Sequence, residues 1–307
     1  MMRIAVAGGG GLGRLLAMEL AQADNAYNVI VLSRSVRQEY ASEDIGAFQV
    51  DYSDYENLMF HLQGIDLVIS TISGSEQISL IDAAGASGVR FFVPSEFEGT
   101  LSHRPQRNDP LDRGSAQARA RLGQWSATMK YTVFSCGIFM ERFSRYGLGY
   151  YEMGYGSGVP NAGDYLINRN NNTASITDTN SAGHLVHICL TSAHDLARAV
   201  TAAVALDPHT WPREWSVRGD RRSLRDLVAL CSRASGQQYD RHDYSHADLQ
   251  TNIDHFAHYG DTETMAYLQR LKATADGRYD FSTASLNNRL GNRFRFTSFR
   301  EWLQLNP

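Results

Sequence analysis

Lysine is almost missing from this chain: of 29 basic side chains only Lys130 and Lys272 are lysines, and the rest are arginines. Chemistry that relies on an amine to form an imine or to relay a proton has two places to find one. Cysteine is scarce as well. Cys136, Cys189 and Cys231 are an odd number, widely spaced, without a CxxC pair or a histidine at zinc-finger spacing. That pattern argues against a disulfide framework and against a structural zinc. Long hydrophobic runs are absent too. A spanning helix needs about 18 uninterrupted apolar residues, whereas the longest apolar stretch, 185–206, is interrupted by His187, His194, Asp195 and Arg198. No charge of one sign dominates. With 29 basic and 33 acidic side chains the net is -4, which leaves no electrostatic footprint for nucleic acid or an anionic membrane. Met1-Met2-Arg3-Ile4-Ala5-Val6 runs straight into an apolar strand without the pattern of a secretory leader. A cytoplasmic protein is expected, with neither nucleic acid nor membrane as partner.

What is present is a core. A chain of 307 residues with 43% hydrophobic content is long enough to hide about three quarters of its unfolded surface. Ile4-Ala5-Val6-Ala7 is a short apolar strand, followed by a glycine cluster and then by helical spacing of Leu15, Leu16, Met18, Leu20 and Ala21. Asn28 to Leu32, Asp66 to Thr71, Arg90 to Val93 and Lys130 to Ser135 read as further strands. Asp54 to Gln63, Gln77 to Gly88, Ser115 to Ala127 and Ala193 to Ala205 read as helices between or after them. Alternating strands and helices predict an α/β fold: a Rossmann-like, doubly wound parallel sheet. From Tyr146 to Gly163 the texture turns to tyrosine and glycine, a loop-rich stretch. Arg169 to Asn172 reads as a turn between short strands, and a strand is expected near Gln237 to Tyr239. The organisation expected is a nucleotide-binding domain over 1–155, with a return element at about 184–206, and a smaller lobe over 156–183 and 207–307.

Gly8, Gly10 and Gly13 form an intact GxGxxG between the first strand and the first helix. Such a turn lets a pyrophosphate approach the backbone, and the helix N-terminus offers it free N–H groups. The second strand ends Val31-Leu32-Ser33-Arg34, with no carboxylate where one would accept from the ribose hydroxyl of NAD. A guanidinium suits a 2'-phosphate, so Arg34, helped by Arg37, points to NADPH (NADP). Asp51 sits where a strand end could approach the adenine.

These segments, together with Gly88-Val89-Arg90-Phe91-Phe92-Val93-Pro94-Ser95-Glu96-Phe97, Cys136-Gly137-Ile138-Phe139 and Leu190 to Ala197, resemble the NmrA-like and isoflavone reductase-like group of atypical short-chain dehydrogenases. That group includes the phenylcoumaran benzylic ether reductase-like proteins. The resemblance covers nearly the whole length. It implies an NADPH-binding domain with a substrate pocket beneath a smaller lobe, and hydride transfer to an aromatic or phenolic substrate. Carried over by position, Gly8, Gly10, Gly11, Leu12, Gly13 and Arg34 would hold the phosphates, and Thr71 and Ser73 would line the cofactor's path. Pro94, Ser95, Phe97, Cys136 and Gly137 would surround the nicotinamide, with Tyr150 and Tyr151 bordering the substrate.

Two departures stand out. The family's reductases carry a lysine on the helix after the PSEF segment, whereas Arg113 to Arg119 contains none, and an arginine cannot relay a proton. The segment also reads Phe97-Glu98 where the family has a glycine. Candidate proton carriers are then Glu96, because desolvation favours a neutral carboxyl, and His103, because histidine titrates near neutrality. Their plain alternatives are a loop anchor and a solvated histidine. Cys136 is better read as a core thiol than as a nucleophile. His184, His187 and His194 would need a helix to converge, and the strand character of Val186 to Leu190 breaks that geometry, so no metal is expected. Three functions follow: an NADPH-dependent reductase of a small aromatic or polyketide-like metabolite, a non-redox cyclase or isomerase on the same fold, or an NADP(H)-sensing regulator. The partner expected is a small aromatic molecule, and the composition allows a homodimer.

Overall fold

The computed structural model describes residues 1–306. They form two compact units. The first comprises Met1–Phe97, Asp112–Phe134 and Leu196–Trp215; the second comprises Glu98–Leu111, Ser135–Asp195 and the chain from Ser216 on. Residues 135–155, grouped above with the nucleotide-binding part, belong here with the second unit. Residue 307 of the expected lobe lies outside the described residues.

The first unit runs β1 (Arg3–Ala7), α1 (Gly11–Ala21), β2 (Asn28–Ser33), β3 (Gly46–Gln49), α2 (Tyr55–Leu62), β4 (Leu67–Ser70), α3 (Ser75–Ala86), β5 (Phe91–Val93), α4 (Ser115–Gln124) and β6 (Lys130–Tyr131). The strands lie in the order β3-β2-β1-β4-β5-β6, every neighbouring pair parallel. Parallel neighbours require crossovers, which the helices supply. Ile4 to Ala7 and Leu67 to Ile69 are entirely buried, so their side chains, which alternate across the sheet, are covered on both faces. On one face Ala5, Ala7, Leu32, Val68 and Phe92 pack with Leu58 and Leu62 of α2, Leu80 and Ile81 of α3, and Leu122 of α4. Each leucine so buried contributes roughly 1.5–3 kcal/mol. This is the Rossmann-like α/β architecture read from the alternation of elements.

The order reverses at β1, with β2 and β3 to one side and β4 to the other. In such sheets ligands bind in the crevice beyond the carboxyl ends of the strands at that reversal. Here those ends are Gly8, after β1, and Thr71, after β4.

The chain leaves the first unit through β7 (Val133–Ser135) and enters a region of short strands: β8 (Ile138–Phe139), β9 (Ile167–Asn168), β10 (Thr173–Ile176) and β11 (His187–Thr191). After α5 (Ala193–Val204) come β12 (Glu214–Ser216), which pairs with β7, then β13 (Asp220–Ser223), α6 (Leu224–Ser235), β14 (Asp240–Asp243), α7 (His246–His258), α8 (Thr262–Ala275), α9 (Ser285–Leu290) and α10 (Phe299–Leu305). Two three-stranded sheets, β13-β11-β8 and β14-β10-β9, cover a core of Ile176, Ile188, Leu190, Leu227, Leu249, Leu271, Phe299 and Trp302. The strand expected at Gln237 to Tyr239 begins at Asp240 instead. All four of its residues are exposed, so its pairing with β10, and not an apolar pattern, defines it.

Candidate functional site

The glycine turn is built by its neighbours. Gly8 has φ +106, a conformation that side chains disfavour, and a Cβ there would collide with the Thr71 hydroxyl. A Cβ on Gly13 would run into the Gly8 carbonyl oxygen, so α1 packs on the turn only because position 13 is bare. Gly10 caps α1 without a side chain. Gly11, also at positive φ, opens the helix, and Leu12 is buried beneath it. The result is a helix N-terminus whose approach is backbone alone, at the sheet's reversal point. That geometry suits a phosphate-bearing group, which takes backbone N–H donors and the positive end of the helix dipole. The residues present therefore fit a dinucleotide.

Three hydroxyls hold this turn, and spacing in the sequence signals none of them. Thr71 Oγ1 donates to the Ala7 carbonyl at 2.9 Å, and its N–H to the same oxygen at 2.8 Å. Tyr40 donates to the Gly9 carbonyl at 2.8 Å. Tyr52 donates to Leu32 O at 2.9 Å, the oxygen that also accepts from Gly8 N–H, and burial pushes its phenol up. Thr71 thus braces the turn from below. Ser73 is half-buried in the loop leading to α3.

Arg34 and Arg37 follow β2. Arg34 is 72% exposed, with Nη1 3.2 Å from Glu76 Oε1 at the start of α3. Arg37 pairs with Glu39 at 3.3 Å, and its Cγ lies 3.2 Å from where a Gly9 Cβ would sit. The stem of Arg37 is therefore packed beside the glycine turn, while the Arg34 guanidinium lies against the start of α3. Asp51 is engaged with Ser53, whose hydroxyl and N–H hold its carboxyl below the usual range.

After β5, the Ser95 N–H donates to Gln77 Oε1 at 2.7 Å, and Gln77 is almost fully buried on α3. This ties the Pro94-Ser95 turn to the helix. Glu96 is wholly buried and pairs with Arg119 of α4. The helix expected to carry a lysine thus presents an arginine to the PSEF glutamate. Tyr131 on β6 lies under the Arg213 guanidinium, 3.6 Å from its ring, and burial pushes its phenol up. Phe97, buried, closes this part of the first unit. The structure so gathers Gly8 to Gly13, Arg34, Thr71, Ser73, Pro94, Ser95, Glu96 and Phe97 in one unit.

The remaining candidates lie in the second unit. His103 is exposed, its Nδ1 3.0 Å from the Gly277 carbonyl. Cys136 is fully buried, and that burial pushes its thiol up, so it stays protonated. The N–H groups of Cys136 and Gly137 donate to Glu98 O at 2.8 and 3.1 Å. The Glu98 carboxylate accepts from Arg278 Nε at 2.9 Å and lies 3.4 Å from Arg104 Nη1, while Arg278 Nη1 binds Asp109 at 2.8 Å. The glutamate that stands where a glycine was expected thus pairs with two buried arginines. Tyr146, Tyr150 and Tyr151 cluster, with ring centroids 5.0 and 5.2 Å apart in succession. Tyr150 is 68% exposed, and Tyr151 donates to Asn306 Oδ1 at 3.4 Å. Among the described residues no group of three or more His, Cys, Asp or Glu side chains is placed to hold a metal, and no helix is long and apolar enough to cross a membrane.

Sheet order and the glycine turn after β1 define a Rossmann-type α/β protein. The NmrA-like family model matches residues 2–303, and the chain belongs to that family. Oxidoreductase BOA1 of Botryotinia fuckeliana is 25% identical over 252 residues, 78% of each chain. The NADPH-dependent quinone oxidoreductase QOR2 of Escherichia coli, solved with NADPH, shares the fold with TM-score 0.69 and 21% identity over 98% of this chain and 99% of that one. An isoflavone reductase structure does so with TM-score 0.70 and 19% identity over 99% and 98%.

Proposed function

We propose that this protein is an NADPH-dependent reductase acting in the cytoplasm on a small aromatic or polyketide-like metabolite. One observation carries the cofactor reading: the turn is bare at Gly8, Gly10 and Gly13, the Arg37 stem packs beside Gly9, and β2 runs out into Arg34 with no carboxylate at its end. Guanidiniums there favour the phosphorylated ribose over the free diol. Family membership and the oxidoreductases among its relatives support the reaction class.

Bound in this cradle, NADPH would supply a hydride. Gly10, Gly11, Leu12 and Gly13 would present backbone N–H groups to the pyrophosphate, Arg34 and Arg37 would take the 2'-phosphate, and Pro94 and Ser95 would wall the far end, held there by Gln77. The Glu96–Arg119 pair holds charge and geometry here, since a guanidinium does not serve as a proton relay. A second reading, non-redox cyclisation or isomerisation on the same scaffold, draws on that same pair standing where the family's reductases have lysine.

Calorimetric titration of the protein with NADPH, NADP and NADH in parallel tests the proposal. Preference for NADPH over NADH is expected, followed by stereospecific transfer of label from NADPH to an aromatic acceptor. Absence of binding by all three overturns it, and turnover with no nicotinamide present transfers support to the second reading.

A further inference from the structure

Arg34 is not a free cation. It follows directly on β2, its main-chain carbonyl takes the Gln49 side-chain amide at 3.1 Å from the end of β3, and its Nη1 lies 3.2 Å from Glu76 Oε1. Glu76 belongs to another element, 42 residues further along the chain. It is the second residue of α3, in the first turn of a helix that Gly74 caps at φ +73 without a side chain. A carboxylate in that turn faces the positive end of the helix dipole. The negative charge missing from the end of β2 is therefore brought to Arg34 from α3.

The pair lies within electrostatic reach of the glycine turn. The Tyr52 hydroxyl shares the Leu32 carbonyl with the Gly8 N–H. Burial pushes this phenol up and the Gly8 backbone lowers it; beyond those two effects, Glu76 raises it and Arg34 lowers it. Both charges thus act at the foot of the turn. Both also face solvent, with side chains 72% and 35% exposed. A dissolved anion reaches the Arg34 guanidinium without any part of the core opening.

We propose that Glu76 competes with the ribose 2'-phosphate for the Arg34 guanidinium, and so sets how strongly this protein prefers NADPH to NADH. The proposal rests on the placing of the 2'-phosphate at Arg34. A phosphate monoester carries about -1.5 to -2 charges at neutral pH, and its oxygens match the planar fork of a guanidinium. At Arg34 it meets a guanidinium already engaged, beside a carboxylate that repels it. NADPH has to displace Glu76 or share the fork with it. Either costs affinity that NADH, with an uncharged ribose diol, does not lose. Glu76 is in this sense a positioning residue, acting on cofactor choice through Arg34.

The test is calorimetric titration of wild type, Glu76→Gln, Arg34→Ala and the double variant with NADPH and with NADH. Glu76→Gln keeps the shape of the side chain and removes its charge. It is expected to bind NADPH about two- to fivefold more tightly, the range that an exposed ion pair is worth, with NADH affinity unchanged. A merely structural defect weakens both nucleotides and does not raise their ratio. In the Arg34→Ala background the same substitution should gain much less. An unchanged or lowered NADPH-to-NADH ratio in Glu76→Gln overturns the proposal. So does a gain undiminished without Arg34, which would assign the effect to net charge, and so does weakened NADH binding, which would make Glu76 an acceptor for the ribose diol. Failure of the underlying reading looks different: Arg34→Ala then leaves the wild-type ratio as it is, or wild type binds neither nucleotide, and this proposal falls with it.

Discussion

The phenol of Tyr40 donates to the carbonyl oxygen of Gly9 across 2.8 Å, and both residues are buried. Tyr40 belongs to the segment after β2 that also carries Arg34 and Arg37, so one hydrogen bond links the arginine-bearing loop to the glycine turn. Tyr40→Phe keeps the ring and removes the donor, leaving a buried carbonyl unsatisfied. A loss of about 1–2 kcal/mol in unfolding free energy is expected, with several-fold weaker NADPH binding. Chemical denaturation and calorimetry measure the two effects; unchanged affinity in a destabilised variant would confine Tyr40 to a structural role.

Gly13 is the more severe position. A Cβ there meets the Gly8 carbonyl oxygen, a backbone atom that cannot swing aside. Gly13→Ala must push α1 off the turn, at an expected cost of about 1–3 kcal/mol, and dinucleotide binding should be lost while the folded state survives. Retained NADPH affinity in Gly13→Ala would show that the turn is not the cradle.

Arg34 separates recognition from stability. Its ion pair with Glu76 is largely exposed, and such pairs are worth about 0–1 kcal/mol. Arg34→Ala should therefore leave the melting temperature almost unchanged while the NADPH-to-NADH affinity ratio collapses. An unaltered ratio sinks the 2'-phosphate assignment for Arg34, and Arg37→Ala then shows whether the guanidinium packed against Gly9 carries it instead.

The glycine turn was legible in the sequence because its geometry tolerates almost nothing else: the absent side chains are themselves the signal. The sheet was legible for a similar reason, since strands covered on both faces appear as unbroken apolar runs such as Ile4 to Ala7. Tyr40, Tyr52 and Gln77 were not. Each bonds to a backbone atom 31, 20 or 18 residues away, and such a pairing leaves no periodicity. Glu98 shows the same limit. A glycine was expected there, and the partner that engages the glutamate, Arg278, is 180 residues distant.

Glu141 gives the fold a pH dependence of its own. Its carboxyl is buried, with both oxygens 3.0 Å from the Ala193 N–H at the start of α5. Burial first, and the buried Asp195 second, raise it from its ordinary 4.5 to about 7 against the lowering effect of the Glu141 and Ala193 N–H groups. Between those two values the folded protein binds a proton that the unfolded chain has released, so unfolding free energy falls as pH rises. The stabilisation is complete below about 4.5 and gone above about 7, and a shift of this size is on the order of 3 kcal/mol. Glu141→Gln keeps the shape and an acceptor for Ala193 while removing the titration. Stability measured by denaturant from pH 4.5 to 7.5 should decline in wild type and do so less steeply in Glu141→Gln. Identical slopes would mean that Glu141 is ionised throughout and that the N-terminus of α5 compensates its burial in full.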